Sequence, residues 1–188
     1  VGAPGIGKAR FARAFAQRLL CTAPEADAAC GHCKSCQLNL AGSHPDLVVI
    51  EPEKNSRVIK VDQVRELVDW AGKTAQQGGA RVVVLDPADA LNANAANALL
   101  KCLEEPGSSV FFLLVSSRPS SVLPTVRSRC QRVQLPEPQP AHALQGLSGV
   151  LGSEERAASL LASGVQPLQA LAWSDGQQPA VREHASRA

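Results

Sequence analysis

Short apolar runs alternate with segments of helical periodicity along the chain. The runs are Leu47–Ile50, Val82–Leu85, Val110–Val115 and, as a candidate fourth strand, Val133–Leu135. Because these runs are short and almost continuously apolar, they predict strands that are buried on both faces of a sheet. Apolar residues recur at helical spacing over 61–71 and 91–103, which predicts helices between the strands. Strands separated by helices predict an α/β fold with a parallel, doubly wound sheet.

A further helix is predicted over Lys8–Leu20, ahead of the first strand. Phe11, Phe15 and Leu19 recur every four residues within this segment. Residues at that spacing lie on one face of a helix, so we expect these three side chains to pack against the sheet.

The region after the last apolar run has a different composition. Pro136, Pro138 and Pro140 lie close together and interrupt any regular element. The sequence beyond them is rich in Ala and Leu and is punctuated by Gly, which predicts a small helical domain. We therefore predict a core domain over residues 1–136, a proline-rich linker over 137–140 and a helical domain over 141–188.

Composition and charge narrow the class of protein without indicating a ligand. Apolar residues make up 45% of the 188 residues and charged residues 19%, which is typical of a soluble globular protein. A net charge of +2 is too small to indicate binding to nucleic acid or to a membrane. No apolar run is long enough to span a membrane and nothing resembles a signal peptide, so we expect a cytoplasmic protein. The chain has no Met and opens on a glycine-rich segment, so we expect it to be a fragment.

A cluster of cysteines indicates a metal site. Four of the six cysteines form it, namely Cys21, Cys30, Cys33 and Cys36. Cytoplasmic proteins keep thiols reduced, which argues against disulfides, and four thiolates form a closed tetrahedral shell that is typical of structural Zn²⁺. An iron–sulfur cluster is the alternative, but ferredoxin motifs place Cys-Pro soon afterwards, whereas Gln37 and Leu38 follow here. Cys102 and Cys130 lie in apolar surroundings and are interpreted as core residues.

A phosphate-loop pattern opens the predicted first helix. Gly2, Gly5, Gly7 and Lys8 fit G-x-x-x-x-G-K when Gly2 is taken as its first position. Backbone N–H groups at such a helix start can bind phosphates, and the lysine reaches the terminal ones. The pattern continues with Ser or Thr, whose hydroxyl binds Mg²⁺, but this chain has Ala9. The loop is interpreted as a degenerate nucleotide site, at which ATP binding stays open.

The residues after the second predicted strand also depart from the pattern of an active P-loop ATPase. Asp86 lies where P-loop ATPases keep the aspartate that binds Mg²⁺. Catalytic relatives follow it with a glutamate that orients the attacking water, but this chain has Pro87. Asp89 is interpreted as a helix N-cap. Ser116 and Ser117 are interpreted as either a polar sensor of nucleotide or the end of the third strand. Without the hydroxyl and the acid, ATP hydrolysis by this chain is not expected.

Several motifs together resemble a known family. They are N-A-L-L-K-C-L-E-E-P over residues 97–106, Ser128-Arg129-Cys130, and the four-cysteine module over residues 21–36. In this combination, over about residues 1–135, the chain resembles bacterial clamp-loader subunits of the AAA+ family. The resemblance implies an AAA+ core over residues 1–136 with an inserted zinc module, followed by a helical lid over 141–188. It also implies that the collar of the family lies outside this chain.

The resemblance implies a role in DNA replication without intrinsic ATPase activity. Family members that hydrolyse ATP keep the loop hydroxyl and the acidic pair, and this chain resembles the branch that lacks both. Arg129 would then act in trans as an arginine finger on ATP held by a neighbouring gamma subunit, a contribution worth roughly a thousandfold in rate. The implied partners are the gamma/tau and delta subunits of a ring within the DNA polymerase III assembly, the sliding clamp, and primed DNA through the assembled complex.

Three alternatives stay open from the sequence. In the first alternative, Arg129 is not an arginine finger but a surface arginine paired with a carboxylate. Because Lys8 and Asp86 remain, the chain is otherwise an ATP-binding, weakly active subunit of the gamma/tau kind. The cysteine module is otherwise part of a zinc-dependent nucleic-acid-binding module, although the sequence has little basic or aromatic patterning to support this.

Overall fold

A computed structural model of the chain describes residues 1–77, 79–107, 109–162 and 166–168. The remainder of the predicted helical domain, residues 163–165 and 169–188, lies outside the described residues. The strands are β1 (Leu47–Ile50), β2 (Arg81–Leu85) and β3 (Val110–Leu114). The α-helices are α1 (Lys8–Leu20), α2 (Lys34–Leu40), α3 (Val61–Ala71), α4 (Ala93–Glu104), α5 (Pro124–Arg127), α6 (Pro140–Leu151) and α7 (Glu154–Ala162). Single 3₁₀ turns lie at Ala88–Ala90 and Pro119–Ser121.

The three strands form one parallel sheet in the order β1-β2-β3, which confirms the predicted fold class. The central strand β2 is buried at every residue. Val83 and Leu85 pack with residues of α3 and α4, whereas Val82 and Val84 pack with α1 on the opposite face. The helices α3 and α4 share a face, as right-handed connections that step in one direction along a sheet require.

The candidate fourth strand is not formed. Residues 133–135 belong to no strand in the described part of the chain, and Val133 is exposed. The carbonyl of Val133 instead accepts a hydrogen bond of 2.8 Å from the terminal amino group of Val1. The prediction was wrong because a short apolar stretch becomes a strand only when a neighbouring strand is available to pair with it.

Of the three side chains predicted to pack from α1 against the sheet, Leu19 does so, but Phe11 and Phe15 do not. Ala12, Ala16 and Leu20 are buried against the sheet, whereas Phe11 and Phe15 are 49% and 42% exposed. The two phenyl rings stack on each other at the helix surface, with centroids 6.1 Å apart. Small alanine side chains let the helix approach the sheet closely, so packing distance rather than hydrophobicity alone selects the inner face.

The described chain divides into two units. The first comprises Val1–Gly2 and Lys8–Gln134, and the second comprises Ala3–Gly7 together with the described residues from Leu135 onward. Within the second unit, α6 and α7 pack around Leu147 and Ala157. Gly152 ends α6 in the left-handed conformation, with φ of 67°, which favours glycine. The boundaries at residues 136 and 140 stay predictions. No helix in the described ranges is both long and apolar enough to cross a membrane.

The inner face of α1 gives a first testable prediction. Replacing buried Ala16 by Leu should lower the free energy of unfolding by about 1–3 kcal/mol, because the added methylenes have no space between helix and sheet. The same substitution at exposed Ala14 should change it by less than about 0.5 kcal/mol. Chemical denaturation of both variants measures the difference, and equal effects at the two positions would contradict the packing of α1.

Candidate functional site

The four clustered cysteines converge in space. Each offers a sulfur, and all four Sγ atoms lie within 4.8 Å of one another. The Sγ of Cys21 lies 3.6 Å from that of Cys30 and 3.9 Å from that of Cys33, and the Sγ atoms of Cys30 and Cys36 are 4.0 Å apart. Cys21 directly follows α1, Cys33 caps α2 and Cys36 lies in its first turn, so two helix ends position three of the ligands.

This arrangement fits a single tetrahedral metal ion. Four sulfurs about 2.3 Å from one Zn²⁺ would lie about 3.8 Å apart, which is close to the observed separations. Backbone N–H groups of Cys30, Cys33 and Cys36 each point at the sulfur of the preceding ligand, at 3.4 Å. Such N–H donors stabilise thiolates, the form in which cysteine binds metals. The four cysteines could therefore hold a metal ion.

The environment shifts the pKa values of three of the clustered thiols, and not all in the same direction. Hydrogen bonds from Thr22, then from the backbone at Cys36, lower the pKa of Cys33 to about 5. Burial raises the pKa of Cys36 to about 12. A hydrogen bond from the backbone N–H of Cys30 lowers the pKa of Cys21. A cation at the centre would stabilise all four thiolates, so metal binding at this cluster would release protons.

Of the remaining two cysteines, Cys130 takes the core position expected for it, whereas Cys102 belongs to none of the core clusters of the described residues. Cys130 packs against the core formed by α3, α4 and the sheet, and Cys102 is half-buried in α4. Burial raises the pKa of both thiols, which keeps them protonated and unreactive.

The phosphate-loop segment has the backbone that its glycines predict. Gly5 and Gly7 have φ of 80° and 98°, in the left-handed region that favours residues without a Cβ atom. Lys8 is the first residue of α1 and is buried. Burial lowers the pKa of Lys8, while the charges of Asp86 and Asp89 oppose that shift.

Asp86 lies at the carboxyl end of the central strand. Its backbone N–H donates to the carbonyl of Ile50 at the end of β1, at 3.0 Å. Burial, followed by the charge of Glu51, raises the pKa of the Asp86 carboxyl, and the cations Arg13 and Lys8 oppose that change. Arg13 is itself paired with Glu51, at 2.5 Å. The charges of Lys8 and Asp86 therefore act on each other's pKa.

Asp89 has a role that the sequence did not indicate. The cap of α4 is Asn92, whose side chain accepts from the N–H of Ala95 at 2.8 Å, so the N-cap interpretation of Asp89 was wrong. Asp89 instead accepts from the hydroxyl of buried Ser116 at 2.8 Å and from two nitrogens of Arg118 at 3.2 and 3.0 Å. Burial alone would raise the pKa of Asp89, but these hydrogen bonds outweigh it and lower the pKa.

Arg129 lies just beyond α5 and is engaged with its own chain. Its Nε donates to Oε1 of Glu104 at 2.7 Å, a second guanidinium nitrogen contacts the same oxygen, and Nη1 donates to the carbonyl of Thr125 at 2.9 Å. The side chains of Arg129 and Glu104 are 34% and 48% exposed. The pairing with a carboxylate was the alternative interpretation of Arg129, and it is the arrangement in this structure.

Comparison with known proteins agrees with the motifs. The family described as "DNA polymerase III, delta subunit" matches residues 1–139 of the chain. DNA polymerase III subunit delta' of Pseudomonas aeruginosa is 51% identical over 172 residues, which are 90% of this chain and 52% of that protein. The chain belongs to the family of DNA polymerase III delta' subunits. The same subunit of Escherichia coli is 40% identical over 96% of this chain and 54% of its own length. The chain therefore spans about half of the length of these delta' relatives.

More distant relatives bear on the fold. The tau/gamma subunit of DNA polymerase III from Haemophilus influenzae is 33% identical over 81% of this chain and 22% of its own length. A solved structure of a DNA polymerase III gamma subunit-related protein from Thermotoga maritima superimposes with a TM-score of 0.50 at 23% identity. The match covers 69% of this chain and 49% of that one. This likeness supports the AAA+ fold expected from the resemblance.

The cysteine geometry gives a second prediction. The purified chain should carry one metal ion, and Cys36→Ser should lose it, because removal of a buried thiolate opens the tetrahedral shell. Cys102→Ser is the matched control, since that half-buried cysteine lies outside the cluster, and it should keep the metal. Native mass spectrometry with elemental analysis measures the stoichiometry and identifies the ion. Equal metal content in the two variants would contradict the site.

Proposed function

We propose that this chain is part of a delta' clamp-loader subunit that does not hydrolyse ATP itself and completes the ATP site of a neighbouring subunit. The observation that carries the proposal is the state of its own nucleotide site. Gly7 and Lys8 retain the loop, but Ala9 supplies no hydroxyl for Mg²⁺ and Pro87 follows Asp86 where a catalytic glutamate would stand. The site can attract phosphate and lacks the groups that activate water.

Asp89, the buried carboxylate near Asp86, is not free to take over the missing role. Asp89 is held by Ser116 and Arg118, and those hydrogen bonds favour its ionised, acceptor-only form. Glu51 is paired with Arg13. A general base must reach the proton of the attacking water, and the Asp89 carboxylate is already committed to its partners. The exposed pair with Arg13 holds Glu51 only weakly, but nothing in the motif places a catalytic acid at Glu51, since the residue after Asp86 is Pro87.

Arg129 is suited to act on a neighbouring subunit because its present contacts are weak and superficial. An exposed ion pair contributes about 0–1 kcal/mol, so Glu104 can be exchanged for another anion at little cost. A nucleoside triphosphate carries more negative charge than the Glu104 carboxylate, and it can accept hydrogen bonds from a guanidinium at two oxygens. Arg129 is therefore proposed as the arginine finger, with Glu104 as the partner that holds it when no nucleotide is opposite.

The metal is proposed to be Zn²⁺ in a structural role. Four cysteine ligands fill a tetrahedral shell and leave no position for substrate or water. The separations between the sulfurs suit the short Zn–S bond. The ion would link the end of α1 to the start of α2 through Cys21, Cys33 and Cys36, across a segment with few apolar residues.

The assembly proposed for the chain follows from its relatives. Its delta' and tau/gamma relatives carry the name DNA polymerase III, so we propose that it works with gamma/tau and delta subunits in a ring in the cytoplasm. The ring would use ATP to place the sliding clamp on primed DNA, which the chain would meet through the assembled complex. The subunit would contribute to DNA polymerization only as part of that holoenzyme.

A weakly active ATPase is the second candidate function. The observation that favours it is the electrostatic proximity of Lys8 to Asp86, which is the pair that would hold a phosphate and its metal ion. ATP turnover by the complete subunit separates the two candidates.

The third prediction concerns that turnover. The full-length subunit alone should release phosphate from ATP no faster than its Lys8→Ala variant, because the water-activating groups are missing. A gamma subunit measured in parallel shows that the assay detects hydrolysis. Turnover that is well above the Lys8→Ala background would favour the second candidate and contradict the first.

The fourth prediction concerns Arg129. In the reconstituted clamp loader, Arg129→Ala should slow single-turnover hydrolysis at one site by roughly a thousandfold, because the developing phosphoryl charge loses its partner. Arg129→Lys should recover only part of the rate, since lysine lacks the planar fork. Arg127→Ala is the matched control, an exposed arginine two residues away, and should leave the rate unchanged. An unaltered rate in Arg129→Ala, with assembly intact by gel filtration, would contradict the proposal that Arg129 is an arginine finger.

A further inference from the structure

A buried chain of hydrogen bonds leads away from the cysteine cluster. It begins at Ser35, which lies in α2 directly before Cys36 and is buried. The Ser35 hydroxyl donates to the carbonyl of Leu20 at 2.6 Å and lies 2.8 Å from Nε2 of His44. Ser35 therefore joins the last residue of α1, the first turn of α2 and the imidazole of His44.

The hydrogen-bond partners determine the tautomer of His44. Because the only proton of the Ser35 hydroxyl goes to Leu20, the hydroxyl oxygen must accept from His44, and Nε2 carries a proton. The other ring nitrogen, Nδ1, accepts from the backbone N–H of Asp46 at 3.0 Å and so carries none. Burial lowers the pKa of His44, which agrees with this neutral ring. The imidazole is a fixed connector with one donor and one acceptor in use.

Asp46 continues the chain of hydrogen bonds into the sheet. Its buried carboxylate accepts from the backbone N–H groups of Gln76 and Gln77, each at 2.8 Å, and pairs with the buried guanidinium of Arg81 at 3.4 Å. Its carbonyl accepts from the N–H of Val82 at 2.9 Å. Asp46 thus bonds to both of the first two residues of β2 and directly precedes β1.

Arg81 is fixed from its other side by α3. Its guanidinium lies over the ring of Trp70, with 4.2 Å to the ring centroid, and donates to the Trp70 carbonyl. The indole N–H of Trp70 donates to the carbonyl of Pro45 at 3.3 Å, between His44 and Asp46. A buried charge that has this many partners is costly to displace, so the network has one arrangement rather than several.

We propose that His44 is a positioning residue for the four-cysteine module. Through Ser35 on one side and Asp46 on the other, His44 connects the orientation of α2 and its cysteines to the start of the central sheet. This inference rests on the proposed metal binding at the four cysteines. Its consequence is reciprocal, because two sites that share a rigid network bias each other equally. Metal binding stabilises the hydrogen bonds at the start of β1 and β2, and the hydrogen-bond network stabilises the bound metal.

Two substitutions at His44 cut the connection at different bonds. In His44→Asn, the shorter side chain can still accept from the N–H of Asp46, as asparagine does in many turns, but cannot reach Ser35. In His44→Gln, the longer amide can reach Ser35 and loses the acceptor for Asp46. The matched control is His142→Asn, the same change at an exposed position in α6.

The fifth prediction is measured first as metal release. Transfer of the metal to a chelator should be about tenfold faster, or more, in both His44 variants than in the parent, the size typical of lost outer contacts at a metal site. The control should match the parent. A parent that carries no metal contradicts the metal site itself, whereas His44 variants that hold metal and release it at the parent rate contradict only the role of His44.

Hydrogen exchange of the unmodified chain provides a test that does not depend on the variants folding. Removing the metal from the parent should accelerate exchange of the N–H of Val82, which is bonded to Asp46, more than exchange within α4, which contributes no residue to the network. In His44→Asn, metal removal should accelerate Val82 much less. Equal acceleration of Val82 and of α4 in the parent would overturn the proposal.

Discussion

The fold depends on one constraint, which is that strand β2 is buried on both faces while a charged residue stands at each of its ends. Arg81 begins the strand and Asp86 follows it, and the apolar residues between them are packed between α1 on one side and α3 with α4 on the other. Burying a charge is costly unless it is paired and hydrogen-bonded, so both ends must be surrounded by partners. The chain solves this differently at the two ends.

At the amino end of β2, a network of hydrogen bonds and ion pairs surrounds the buried charge of Arg81. Arg81 has Asp46 and Trp70 as partners, and Asp46 has further backbone donors, so the buried charges are neutralised within the fold. At its carboxyl end, Asp86 has only opposing influences, since burial and Glu51 raise its pKa while Lys8 and Arg13 lower it. In open parallel sheets ligands bind beyond the carboxyl ends of the strands, which is where the candidate nucleotide residues Lys8 and Asp86 lie.

The sequence predicted the strands, the parallel sheet and the metal cluster because each depends on local information. Spacing alone brings cysteines of one short module together, and continuous apolar runs identify strands that are buried on both faces. The misassigned features depend on what a residue meets across the fold. Phe15 has the spacing of a buried face, but only Ala16 fits against the sheet, and Asp89 has the chemistry of a cap but faces Ser116 and Arg118. The hydrogen-bonded link from Ser35 through His44 to Asp46 could not be predicted from the sequence, because nothing in the sequence pattern indicates that these three polar residues are buried together.

Two arginine–carboxylate pairs illustrate how burial separates a structural role from a functional one. The carboxylate of Asp89 is 5% exposed, so separating it from Arg118 would leave a buried charge without its cationic partner, which is costly even though the Ser116 hydroxyl still donates to it. In the pair of Arg129 with Glu104 both side chains are substantially exposed, so water replaces either partner and separation costs about 1 kcal/mol or less. The first pair therefore keeps a carboxylate from acting as a base, and the second leaves a guanidinium available to an incoming anion. The proposed role, in which the chain offers a cation to a neighbouring site and does not activate water itself, would use this combination of a fixed acid and an exchangeable arginine.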